Sequence, residues 1–524
     1  MPRHLHRAKD SIDNPHKLAA GFLSAFTSNE KSKTLYSWND MFVEYQKGAY
    51  HIRPLRDIQT ALTSYIREAF VREIEEESSK RKWTRTITTS LLSNTLNALR
   101  SLCHLASSIE PPAWLGNDTN HPDPLSMLSM ANGILNLPKL YSSTDCPLLP
   151  CSADYFTFAA LPFEYVAQVQ APLCWNAFLK SLWPDDSSSI ACLQEWFGYL
   201  LTCDTRLHKM LMLIGPKRSG KGTILRILTQ VVGEKSVVNP TLASLATQFG
   251  LAPLLGKSVA IVPDARLSNR ADQAVVLERL LSISGEDAQT IDRKHRDPIT
   301  CKLATRFVLA SNELPRVLDT SGAFSGRLIL LKLTHSFYGR EDTELVNKLT
   351  PELPGIFQWA LAGLIRLQAR GCFIQPQSGL ELTEELEDLV SPVGAFVREK
   401  CVIDPKATVE VGELYELWKE WCAEQGRQNP GPLQTFGRDL HAAVPSVSVI
   451  RPVLNGKRVR FYQGLRSLQA GEVTIPSAQS AVSSIAPSLT FSLYQEGQTA
   501  LDTQLTRTAD CADGTLHGRG FHEL

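Results

Sequence analysis

The stretch LMLIGPKRSGKGTILRIL, residues 211–228, admits few folds. An apolar run ends at Ile214, a glycine-bracketed basic turn follows, and apolar residues return at helical spacing from Ile224. Gly215, Gly220 and Gly222 let the backbone turn tightly enough for its N–H groups to converge on one anion. The order strand, glycine-rich turn, lysine, helix is that of a phosphate-binding loop. It makes Gly215, Pro216, Lys217, Arg218, Ser219, Gly220, Lys221, Gly222 and Thr223 candidate nucleotide ligands. Lys221 is placed to reach the β- and γ-phosphates, and the helix behind it aims its positive end at the same charge.

The hydroxyl that usually follows the lysine is displaced by one position, to Thr223. That GKGT form also occurs in nucleoside monophosphate kinases, so the loop predicts ATP binding without naming the reaction. An ATP-driven machine needs more: a carboxylate for Mg2+, a sensor of the γ-phosphate and a source of positive charge in the transition state. GKSVAIVPDARL supplies a buried strand ending in Asp264, so Thr223 and Asp264 are the candidate Mg2+ ligands. The neighbours of Asp264 are Pro263 and Ala265, which leaves the water-activating base unassigned. TRFVLASNELP ends a second strand at Ser311-Asn312, where the amide of Asn312 suits a γ-phosphate or an attacking water. DTSGAFSGRLILLKL sets Arg327 at the mouth of a third strand, the place for an arginine finger acting on a neighbouring subunit. Lys221, Asp264, Asn312 and Arg327 are thus the candidate catalytic residues.

The chain is 524 residues long, which calls for several domains. Lys plus Arg and Asp plus Glu number 54 each, so affinity for nucleic acid must come from local basic patches. The eleven cysteines form no CxxC pair, which favours reduced core thiols over disulfides or a zinc site. No apolar stretch reaches the ~18–20 residues that cross a bilayer, and the opening MPRHLHRAKD lacks the apolar core of a signal peptide. The expected setting is cytoplasmic, without a membrane partner. By texture, residues 1–40 read as a flexible leader and 41–200 as a mostly helical N-terminal domain. Residues 201–335 read as the α/β nucleotide core and 336–384 as its helical extension, with Gly371 a plausible stop. Residues 385–468 read as a compact module, and 469–524, rich in small polar residues, as a disordered tail.

With those elements in order, the chain resembles a superfamily 3 helicase of the phage/plasmid primase–helicase group. The carrying stretch is LLSISGEDAQTIDRKHRDPITCKLATRFVLASNELP, residues 280–315. Its DRKH also appears in papillomavirus-type replication helicases, where the equivalent segment is a β-hairpin in the channel of a hexameric ring. The resemblance implies that Lys294 and His295 grip the DNA backbone, with Arg293 and Arg296 as helpers. A cationic hairpin tip neutralises phosphates without reading sequence. NGILNL, LPFEY, LQEWFGYLL and PELPGIFQWALAGLIRL resemble the flanking regions of the same group, so the likeness spans about 130 to 465. A single acid at the Asp264 position fits that pattern. Residues 1–130 offer no primase signature, which makes a separate primase the simpler expectation.

In VEVGELYELWKEWCAEQG, Leu414, Leu417, Trp418 and Trp421 share one helical face, and GPLQTFGRDLHAAV reads as a second helix. VSVIRPVLNGKRVRFYQGL predicts two strands joined through Asn455-Gly456. Together they resemble the winged helix that ends this family, with Lys457, Arg458 and Arg460 on the wing and Arg438 on the recognition helix. The expectation is therefore an AAA+-like P-loop core with a helical N-terminal domain and a winged-helix-like module. Its ligands would be ATP, Mg2+ and single-stranded or forked DNA, and its assembly a homo-hexamer. A DNA-stimulated ATPase that loads replication proteins, and a nucleotide kinase, are the alternatives.

Overall fold

The computed structural model describes residues 13–27, 32–76, 86–116, 120–142, 147–265, 270–294, 296–315, 322–427, 429–454 and 457–468. It is a mixed α/β fold in two compact units. The larger is built from the described residues up to Ala395 with Pro432–Pro445, the smaller from Phe396–Gly431 with the described residues from Ser446 on.

The larger unit begins with α1 (Pro15–Ser24), capped by the Asn14 side chain, and a meander of β1 (Leu35–Trp38), β2 (Met41–Gln46) and β3 (Ala49–Arg53). Two-residue turns at Asn39-Asp40 and Lys47-Gly48, all with positive φ, join these strands. That is the backbone a tight hairpin requires. The described residues 14–27 and 32–38 are therefore built into the fold, where their polar texture predicts a loose leader. Leu18, Ala19, Phe22 and Leu23 of α1 are buried against α2 (Leu55–Glu76) and α3 (Thr89–Leu102). The next stretch is strand and helix together rather than mostly helix. β4 (Ala113–Trp114) pairs with β8 (Tyr155–Phe156), and β5 (Met127–Met130), β6 (Gly133–Asn136) and β7 (Leu148–Leu149) form a second small sheet. α4 (Leu137–Ser142) follows β6 directly.

α5 (Leu173–Leu182) and α6 (Ser187–Leu201) lead into the central sheet. Its strands are β9 (Met210–Ile214), β10 (Val237–Val238), β11 (Val259–Val262), β14 (Arg306–Ser311) and β15 (Leu328–Lys332). All pair in parallel, in the order β10-β11-β14-β9-β15. Helices α7 (Lys221–Val232), α8 (Leu242–Leu245), α9 (Arg270–Ser284) and α10 (Ala323–Arg327) make the connections. The antiparallel hairpin of β12 (Gln289–Arg293) and β13 (Arg296–Cys301) is inserted between α9 and β14. Every residue of β9 is buried, as a central strand covered on both faces must be. The chain leaves β9 toward one edge of the sheet and ends on its other side at β15. In open α/β sheets such a switch of direction is where ligands bind, in the crevice beyond the C-terminal strand ends, here the end of β9.

α11 (Leu345–Leu349) and α12 (Leu353–Arg370) follow, and α12 stops at Gly371 in the left-handed conformation. α6 and α12 carry LQEWFGYLL and most of PELPGIFQWALAGLIRL, and they pack on each other at glycine distance. A Cβ on Gly198 would stand 2.4 Å from the Ala360 carbonyl oxygen, and one on Gly363 2.4 Å from that of Gln194. Buried Glu195 receives Arg366 Nε at 2.6 Å and also pairs with Arg370. Gly198→Ala is accordingly expected to cost about 2–3 kcal/mol, because backbone rather than a movable side chain blocks the new methyl group. Thermal melting against Gly326→Ala, whose Cβ would meet nothing within 4 Å, checks this.

α13 (Gln377–Val390) and α14 (Pro392–Lys400) complete this part of the chain. In the smaller unit, β16 (Cys401–Glu410) is followed by α15 (Val411–Glu424). Trp418 and Trp421 of α15 are buried, stacked on each other with centroids 5.4 Å apart, and Phe396 meets both edge-on. α16 (Leu433–Ala443) groups with the larger unit. β17 (Ser448–Ile450) and β20 (Phe461–Ser467) pair antiparallel in a sheet of order β16-β20-β17. β18 (Val453–Leu454) and β19 (Lys457–Arg458) form a short ladder between them. The Asn455-Gly456 turn and the 469–524 tail lie outside the described residues. Among the described residues, no helix is long and apolar enough to cross a membrane.

Candidate nucleotide site

The crevice at the end of β9 gathers three of the four candidate catalytic residues. The loop 215–220 starts from Ile214, and Gly215 N donates to Ser311 O at 3.3 Å, tying it to the end of β14. Gly220 caps α7 at φ 90°, a conformation that side chains disfavour, and a Cβ there would stand 2.9 Å from Leu182 Cδ2. Lys221 is half-buried and folds back over the loop. Its Nζ donates to Gly215 O at 2.6 Å, Pro216 O at 2.8 Å, Ser219 Oγ at 3.2 Å and Asn312 Oδ1 at 3.3 Å. Burial pulls the lysine below its ordinary pKa, and the charge of Asp264 opposes that shift.

Lys221, Asn312 and Asp264 thus come from the ends of β9, β14 and β11, which are neighbours in the sheet. Asp264 is exposed beyond the end of its strand and Asn312 is half-buried. Thr223 sits in the first turn of α7, its N–H bonded to Gly220 O at 3.0 Å. A hydroxyl and a carboxylate are hard oxygen donors, the set that Mg2+ takes together with phosphate oxygens. Among the described residues no group of three or more His, Cys, Asp or Glu is arranged to hold a metal unaided.

Arg327 is placed differently. Its guanidinium bonds to Leu281 O and, at 2.9 Å, to Ser284 Oγ, and it covers Gly285. It caps the C-terminal end of α9, from which the chain runs into the β12–β13 hairpin.

At the hairpin, Lys294 and Arg296 are exposed at the tip and His295 lies outside the described residues. Arg293 turns inward instead. It is only 8% exposed, and its Nε and Nη2 donate to Asp297 O at 3.0 and 2.7 Å. It stiffens the hairpin from within. Buried Ile291 and Ile299 face each other across the strands and anchor the base.

Arg438 is exposed on α16 beside Asp439, while Arg458 and Arg460 are exposed in the smaller unit, where Lys457 begins β19. A cavity of about 250 Å3, lined by Trp38, Glu110, Cys203, Glu286, Cys301 and Lys302 among others, opens at the N-terminal ends of the central strands. None of the candidate residues lines it.

A model described as a family of unknown function, DUF5906, matches residues 213–327, from the end of β9 to Arg327. The DNA primase-polymerase of Nitratiruptor phage NrS-1 is 24% identical over 157 residues. Part of this chain is homologous to a phage primase-polymerase. The match covers 30% of this chain and 22% of that relative's length. Two apo structures of the NrS-1 C-terminal region are also similar. One has a TM-score of 0.48 at 13% identity, covering 87% of this chain and 100% of the other. The second has 0.45 at 12%, covering 86% and 99%.

Proposed function

We propose that this chain is an ATP- and Mg2+-dependent DNA helicase of the superfamily 3 type, a homo-hexameric ring that serves replication of a phage, plasmid or other mobile element. The observation that carries the reading is the meeting of Lys221, Asn312 and Asp264 at one crevice, with an exposed cationic hairpin inserted between two strands of the same sheet. Lys221 would hold the β- and γ-phosphates, the loop N–H groups their oxygens, and Asn312 the γ-phosphate or the attacking water. Thr223 and Asp264 would hold the ion, which when bound neutralises the phosphate charge. Because the hairpin joins α9 to β14, a change at Asn312 is transmitted to Lys294 through one continuous segment. Single-stranded and forked DNA are the proposed substrates, Arg327 the residue offered to the next subunit once freed from α9, and a separate primase the partner. Lys457, Arg458 and Arg460 would add contacts to duplex DNA from the smaller unit, as on the wing of a winged helix, and Arg438 would add one from α16 of the larger unit.

ATP hydrolysis by the purified chain is expected to rise several-fold on adding single-stranded DNA. Turnover indifferent to DNA would favour a loader, and turnover stimulated by a nucleoside monophosphate would favour a kinase.

A further inference from the structure

The chain leaving β15, residues 333–341, is fastened along the phosphate loop. Leu333 N donates to Ile214 O at 2.7 Å, and a Cβ on Gly215 would stand 2.5 Å from the Leu333 carbonyl oxygen. Ser336 Oγ donates to Lys217 O at 2.8 Å, and Phe337 N donates to Arg218 O at 2.9 Å. The Arg218 guanidinium pairs with Glu341 at 3.4 Å. Arg218 sits at φ 60°, a conformation that a non-glycine residue keeps only when its surroundings hold it there. The Phe337 ring packs against the main core. The next residue does the opposite. Tyr338 is 80% exposed, the highest value among the described exposed large apolar side chains. Behind it Gly339 reverses the chain at φ 76°, and Arg340 N closes the turn on Phe337 O at 2.8 Å.

We propose that Tyr338 is the stacking platform for the base of the nucleotide whose phosphates the loop takes. This rests on the phosphate-loop reading and adds the part that the loop leaves unaddressed, since Lys221 and the loop N–H groups recognise only the anion. A nucleotide anchored by its phosphates extends ribose and base out of the cradle. β15 is hydrogen-bonded to β9, so the segment leaving its C-terminal end borders that exit. An aromatic ring on a segment clipped to the crown of the loop loses little freedom on stacking, and its face accepts any base.

Titration calorimetry on the full chain tests this with two probes, ATP and inorganic tripolyphosphate, the latter reporting the loop alone. Tyr338→Ala is expected to weaken ATP binding roughly 5- to 100-fold and to leave tripolyphosphate binding unchanged, with Tyr338→Phe restoring ATP affinity. ATP binding within twofold of wild type in Tyr338→Ala, or equal loss of both probes, overturns the assignment. So does wild-type protein that binds ATP no more tightly than tripolyphosphate. Wild-type protein that binds neither probe defeats the phosphate-loop reading itself, an outcome distinct from the others.

Discussion

Lys221→Ala is expected to reduce ATP turnover by about 10²–10³-fold, the scale seen when one preorganised donor to a developing charge is removed. The same ammonium holds four oxygens around the loop, two of them loop carbonyls. On the proposed reading those contacts would exchange for phosphate oxygens, so part of the lysine's charge-assisted bonding would be oriented before the ligand arrives. Its pKa is depressed by burial, which makes an anionic partner more valuable to it than to a solvated lysine. Without the ammonium, the triphosphate meets only backbone N–H groups and the helix terminus, and affinity falls along with turnover. Lys221→Arg is expected to recover little, because a planar fork does not fit where a point charge sits among four acceptors. Turnover and calorimetric affinity of Lys221→Ala both within threefold of wild type would remove the loop from the mechanism.

Much of this centre is legible in the sequence because each component is a local pattern. Buried parallel strands are unbroken apolar runs, so β9, β11, β14 and β15 stand out, and their ends name Ile214, Asp264, Asn312 and Arg327. The hairpin declares itself by its charges between two strand-like stretches. Direction is harder to read. Arg293 and Lys294 are neighbours in one basic run, yet Arg293 shares the face of buried Ile291 two residues earlier and turns inward, while Lys294 falls on the other face. No composition rule separates them. Arg327 reads as a free finger because its partners, Leu281 and Ser284, lie 46 and 43 positions away. The meander over 35–53 is missed for another reason. Its turns are Asn39-Asp40 and Lys47-Gly48 and its strands are half polar, so its burial depends on α1–α3 and the small sheets rather than on its own periodicity. The clip of residues 333–341 onto the loop is invisible for the same reason, since backbone carbonyls of Lys217 and Arg218 accept its bonds.

The split between Arg293 and Lys294 turns the proposed DNA grip into a paired experiment. Lys294→Ala is expected to leave ATP affinity within twofold of wild type and to abolish duplex unwinding, because Lys294 is exposed at the tip and the phosphate cradle lies at the ends of other strands. Each phosphate contact removed lowers the slope of log affinity against log salt by about 0.7 for single-stranded DNA. The variant is therefore also expected to bind DNA with a shallower salt dependence at unchanged DNA length. Arg293→Ala acts by another route. Its guanidinium holds the Asp297 carbonyl across the hairpin with two hydrogen bonds, so its loss removes both and loosens the tip. Unwinding then declines through a weaker lever while the salt slope stays near wild type. If Lys294→Ala unwinds at full rate with an unchanged slope, the hairpin is not the element that carries the strand, and the exposed Arg458 and Arg460 become the next surface to test.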